Sequence, residues 1–170
     1  MVSRGQAPTV EEAAAGAGIS RTTAYRYFPN RRSLLAAAHP ETAAASLLPD
    51  DAPQDPETRL DLVIASFTAR NLETEAQQRT MLRLSLEAAD AERERLPLRQ
   101  GRAIGWIADA LEPLRGQLAE PELDRLVLAI RSATGIEALV WLTDVAGLSR
   151  ADAVDLMRWS ARSLLQAATA

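Results

Sequence analysis

The sequence predicts an all-α protein. Three observations carry this: 47% of the 170 residues are hydrophobic, only 4% are aromatic, and Ala and Leu far outnumber β-branched side chains. Turn and cap residues then divide the chain into a short N-terminal module, residues 1–40, and a larger helical body, residues 41–170.

The first helix of the module is expected to begin at Val10, because Thr9 followed by Glu12 is a capping-box pattern. It runs through Ala13, Ala14 and Ala17 and stops at Gly18, which tolerates the left-handed conformation at a helix end. Ser20 caps a second helix over about Arg21 to Tyr27, and Pro29 keeps it short. Two short helices joined by Ala17-Gly18-Ile19-Ser20 have the spacing of a helix-turn-helix, with small Ala residues allowing close packing and Ile19 filling the space between. Asn30 caps a third helix, expected to run on as a connecting helix from Arg31 to about Leu48. Arg31 and Arg32 in its first turn oppose the helix dipole, a local cost that makes sense if a phosphate binds there.

Pro49-Asp50-Asp51-Ala52-Pro53-Gln54-Asp55-Pro56 is the clearest break in the chain. Beyond it, apolar spacing at three and four residues predicts helices near 56–74, 76–93, 97–117, 120–145 and 149–168, broken at Pro97, Gly116, Pro121 and Gly147. From Leu126 to Leu142 the apolar groups point in too many directions for a helix with one wet side. The final helix has Val154, Met157, Ala161, Leu164, Leu165 and Ala168 along one stripe. These two helices are expected to pair with their copies in a second chain, a homodimer through residues of about 120–168, with a buried intrachain hairpin as the alternative.

Charge divides along the same boundary. All 19 basic residues are Arg, against 23 acidic residues, for a net charge of −4. Residues 1–40 hold five Arg and two Glu, so a +3 head sits on a −7 body, and a polyanion is expected to meet the head. The second helix offers Arg21, Thr22, Thr23, Tyr25, Arg26 and Tyr27, side chains that suit a DNA major groove: Arg reads guanine, Thr touches a thymine methyl, and Tyr and Arg hold phosphates.

Composition also excludes chemistry. Without Lys there is no P-loop lysine, Schiff-base lysine or kinase lysine; without Cys there is no thiolate nucleophile, disulfide or Cys-ligated metal. His39 is the single imidazole, and Ser20 and Ser149 lack the second Gly of a nucleophile elbow and read as helix caps. Asp90, Glu92 and Glu94 alternate with Arg93 and Arg95, the pattern of a charge-paired helix end rather than a metal site. No catalytic residue, metal or cofactor is expected, and an enzyme is the remotest reading. No signal peptide and no uncharged apolar run of membrane-spanning length is seen, so a cytoplasmic protein without a membrane partner is expected.

The run from Thr9 to Arg31, with its AGIS, YRYF and a basic residue shortly after Pro, resembles the DNA-binding signature of the TetR family of transcriptional regulators, over about residues 8–38. The resemblance implies a ligand-responsive homodimeric repressor on a palindromic DNA operator, with Arg21, Thr22 and Thr23 facing base edges and Thr9, Tyr25, Tyr27 and Arg31 contacting phosphates. Ile19, Ala24 and Phe28 are then packing positions. Family members usually carry a longer first helix ahead of the signature, whereas here only Met1 to Pro8 precede it, so the start is expected to be truncated or assigned too late, and this form to bind its operator weakly. An alternative is a dimeric ligand-binding protein that has lost DNA binding with that helix. Ligand control is expected to be mechanical, a small-molecule effector between the body helices tilting the connecting helix. Phe67, Met81, Leu82, Trp106, Ile107 and Trp141 are candidate pocket residues, with plain core as the competing role.

Overall fold

The computed structural model describes residues 8–37, 44–87 and 101–170, and all regular elements among them are helical. The chain forms two compact units: Met1–Ala43 with Thr74–Gln100, and Ala44–Glu73 with Gly101–Ala170.

In the first unit, α1 (Val10–Ala17), α2 (Arg21–Tyr27) and α3 (Arg31–Ala37) start and stop where the local chemistry dictates. The Thr9 amide donates to Glu12 Oε2 at 2.7 Å and the Glu12 amide to Thr9 Oγ1 at 3.2 Å, closing the capping box. Gly18 ends α1 at φ +67° in the left-handed region, and its amide reaches back to the Ala15 carbonyl. The Thr23 amide donates to Ser20 Oγ, and the Ser33 amide to Asn30 Oδ1, so all three helices carry side-chain N-caps. Val10, Ala14 and Ala24 form the small core between α1 and α2, flanked by half-buried Phe28 and Leu34. Burying three such small groups stabilises the module only weakly, which makes its caps matter. Ile19 does not fill this core: it lies 45% exposed in the turn, and the Ala14 and Ala24 methyls close the gap instead. The same unit holds α5 (Glu75–Leu86).

The second unit packs α4 (Pro56–Glu73), α6 (Arg102–Ala110), α7 (Glu120–Thr134) and α9 (Arg150–Thr169) around one core. Leu60, Ile64 and Phe67 from α4 meet Trp106 and Ile107 from α6, Leu126, Val127 and Ile130 from α7, and Ala161 and Leu165 from α9. Each large side chain buried there contributes about 1.5–3 kcal/mol, so this core dominates the unit's stability.

Several expected boundaries move, each for a local reason. The connecting helix is helical over Arg31–Ala37; residues 38–43, including His39, lie outside the described residues, and Ala44–Leu48 is not helical. There the Trp106 indole N–H donates to the Ala44 carbonyl at 3.0 Å, and the Ser46 hydroxyl donates to Asp109 Oδ2 and accepts from the Leu48 amide. Those tertiary bonds hold the backbone in a bent path that a continuing helix would forbid. The helix expected over 97–117 is shorter, Arg102–Ala110, followed by a 3₁₀ turn at Glu112–Leu114. Gly101 begins it at φ +67°, and Pro113 blocks its continuation. Residues 88–100, with Pro97 and the Asp90–Arg95 charge cluster, lie outside the described residues.

The single helix expected over 120–145 is broken at Gly135, whose extended backbone, φ −81° and ψ 177°, separates α7 from α8 (Ile136–Val140) and a π-helical turn at Trp141–Val145. By length and composition Glu120–Val145 is apolar enough to cross a membrane, yet the chain breaks at Gly135, and Leu126, Val127 and Ile130 are committed to the core. The stripe on the last helix also faces inward: Met157, Ala161 and Leu165 are buried, with Leu164 and Ala168 half-buried against the core of the same chain. A different set, Leu128, Trp141, Val145, Leu156 and Trp159, is exposed.

Candidate nucleic-acid interface

The capped α2 projects its polar side chains into solvent while Ala24 alone is buried beneath it. Arg21, Thr22, Tyr25, Arg26 and Tyr27 are exposed, and Thr23 is half-buried. Arg26 stacks over the Tyr27 ring, its Cζ 5.2 Å from the centroid, and its Nη2 donates to the Tyr27 hydroxyl at 3.3 Å. Tyr27 thereby accepts from a cation and keeps its own O–H as a donor, the arrangement a phosphate oxygen requires.

The other expected contacts are less open. Thr9 donates its hydroxyl to Glu12 Oε2 at 3.1 Å as part of the cap. Thr23 shares a 2.8 Å hydrogen bond with Ser20 Oγ, so its role at the helix start is structural as well as exposed. Arg31, in the first turn of α3, lies exposed with its charge near Glu12. Tyr25 donates its hydroxyl to Glu11 Oε1 at 2.5 Å, tying α2 to α1. That bond is the main cause holding the Glu11 carboxyl below its ordinary range, with Arg21 adding a smaller electrostatic pull, and it pushes the Tyr25 phenol up. Glu11 escaped sequence reasoning because its partner lies 14 positions away; the only signal is an acid in the first turn of a helix that packs on a basic one.

The candidate effector residues separate into three groups. Phe67, Trp106 and Ile107 come together in the core of the second unit, where Phe67 and Trp106 meet edge to face with centroids 6.0 Å apart. The Arg131 guanidinium lies over the Phe67 ring, 5.7 Å from its centroid. Met81, buried, and Leu82, half-buried, are on α5 in the other unit, and Trp141 is 58% exposed in the π-helical turn. Among the described residues no cluster of His, Asp and Glu suited to a metal ion occurs.

A helix-turn-helix whose second helix exposes Arg, Thr and Tyr defines a DNA-binding module. Residues 3–38 match the family model described as bacterial regulatory proteins, tetR family. The match supports a TetR family regulator, a family of DNA-binding transcriptional regulators, and it covers this module alone. No curated protein and no solved structure matches the chain.

Proposed function

We propose that this chain is a ligand-responsive transcriptional repressor that acts in the cytoplasm as a homodimer on a palindromic operator. The observation that carries the reading is the exposed face of α2, where Arg21, Thr22 and the Arg26–Tyr27 pair stand on a capped helix beside a tight turn. Arg21, Thr22 and Thr23 take the base edges, while Thr9, Tyr25, Tyr27 and Arg31 take phosphates. Residues 1–40 serve DNA binding, and residues 41–170 serve effector binding and dimerisation.

The dimer is supported by the exposed apolar set of the second unit, Leu128, Trp141, Val145, Leu156 and Trp159, more large apolar side chains than water tolerates without cost. The effector reading is supported by the aromatic pair Phe67–Trp106 on helices α4 and α6, because Trp106 also holds the Ala44 carbonyl of the segment that precedes α4. A molecule that displaced Trp106 would release that segment. Selection of bound duplexes from a random-sequence pool tests the reading. It predicts an enriched inverted repeat with half-site centres about 10 base pairs apart or a multiple of that; a pool that stays random despite folded protein overturns it.

A further inference from the structure

Tyr25 has one hydroxyl proton, and in this structure a carboxylate holds it. A DNA phosphate carries only acceptors towards a tyrosine, so Tyr25 can engage it only by taking that proton away from Glu11. The exchange leaves the Glu11 carboxylate without its partner beside an incoming phosphate, with like charges facing each other. We propose that Glu11 is an electrostatic brake on the reading head, a built-in competitor for the Tyr25 hydroxyl that a phosphate must displace and that lowers affinity for every duplex irrespective of sequence.

Two further observations fit. The Arg21 charge is close enough to Glu11 to favour the ionised carboxylate, so the same acid offsets one of the cations meant for DNA. Glu12, its neighbour, closes the capping box on Thr9, while the Glu11 carboxylate, which also meets its own amide and the Thr9 hydroxyl, has its bond to Tyr25 as the largest influence on its charge. Changing the acid leaves the Thr9–Glu12 capping box itself in place. A sequence-independent brake has a use: it shortens residence on non-specific DNA while base contacts set the discrimination.

The inference rests on the DNA-binding reading above, and the test separates the two. Glu11→Gln keeps an oxygen that accepts from Tyr25 and removes the charge. Binding of the full chain and of Glu11→Gln to a short random-sequence duplex is followed by fluorescence anisotropy over a salt series, with thermal unfolding to establish equal folding. The brake predicts that Glu11→Gln binds about three- to tenfold more tightly at low salt, a gain that shrinks as salt screens it. Tyr25→Phe, which abolishes the contact to either partner, weakens binding and reduces the gain from Glu11→Gln. Equal or weaker binding by a folded Glu11→Gln overturns the brake, as does an equal gain from Glu57→Gln, an exposed acid on α4, because that result would assign the effect to net charge. A folded wild-type chain that shows no salt-dependent duplex binding overturns the DNA-binding reading and the brake together.

Discussion

Arg158 on α9 grips Asp61 on α4 through two hydrogen bonds, Nη2 to Oδ2 at 2.6 Å and Nε to Oδ1 at 3.2 Å. Arg162, one turn further on, adds a third to Oδ1 at 3.1 Å. The Arg158 bond, joined by the charges of both guanidiniums, holds the Asp61 carboxyl below the ordinary aspartate range. A depressed folded value means that the unfolded chain binds the proton more readily. The stabilisation is therefore complete above the unfolded value and is lost as pH falls through the folded one, below about pH 4. The side chains are about one-third exposed, so solvent screens the network. Asp61→Asn is expected to cost about 1 kcal/mol at neutral pH. Urea denaturation should show the gap to wild type closing under acid conditions; a gap that widens there contradicts the assignment.

Arg59 should matter more than this network. It is 9% exposed, and its guanidinium donates to the carbonyls of Ala110 at 3.1 Å, Asp109 at 2.8 Å and Pro53 at 3.3 Å. Asp109 and Ala110 are the last two residues of α6, so the arginine caps the carbonyl end of that helix from another one. Arg59→Ala strands buried acceptors and is expected to cost about 2–3 kcal/mol. Arg59→Lys cannot span three carbonyls with one ammonium and should recover little of this. A smaller loss than Asp61→Asn in the same denaturation series would refute the cap.

Two glycines separate backbone strain from crowding. Gly18 sits at φ +67°, and a Cβ there would meet nothing within 4 Å, so Gly18→Ala should cost about 1 kcal/mol through the backbone alone. Gly135 has an ordinary φ, but a Cβ would lie 1.8 Å from Arg131 Nη1 and 2.4 Å from Glu137 Oε2, atoms that form a 3.2 Å ion pair. Both are ends of flexible side chains. Gly135→Ala should break that pair and cost no more than about 1 kcal/mol. Crystal structures of both variants would show Arg131 displaced in the second and the backbone turn altered only in the first.

These contrasts also explain what the sequence could disclose. The α1–turn–α2 module was legible because its determinants are local: Thr9 with Glu12, Gly18, Ser20 and Pro29 each act within a few residues. Along 120–145 the hydrophobic pattern runs on through Gly135, where the chain breaks beneath an Arg131–Glu137 ion pair that apolar spacing does not register. The segment Ala44–Leu48 reads as helix by composition, and is held out of it by Trp106 and Asp109, more than 60 residues away. The roles of Asp61, Arg59 and Glu11 leave no local signal, because their partners lie 97, 50 and 14 positions away in turn. The turn position of Ile19 suggests a plug between the helices, but the small Ala14 and Ala24 bring them together without it.

Trp159 is 59% exposed on α9, and Leu156 stands one turn before it. If a second copy covers this face, sedimentation should show a dimer for the wild-type chain and a folded monomer for Leu156→Glu with Trp159→Glu. Because both side chains lie outside the core, thermal stability of the monomer unit should change little. A wild-type chain that sediments as a monomer at every concentration would remove the dimer from the account.

The central claim is that α2 reads duplex DNA, and a salt titration of binding tests it most directly. For the wild-type chain, the logarithm of the affinity should fall linearly with the logarithm of salt concentration. Arg21→Ala should weaken selected duplexes by about 1–3 kcal/mol and lose discrimination at one base position. Tyr27→Phe should instead weaken all duplexes alike, since it removes a phosphate donor and no base contact. A folded wild-type chain that binds no duplex, or an Arg21→Ala variant indistinguishable from it in affinity and sequence preference, would contradict the account.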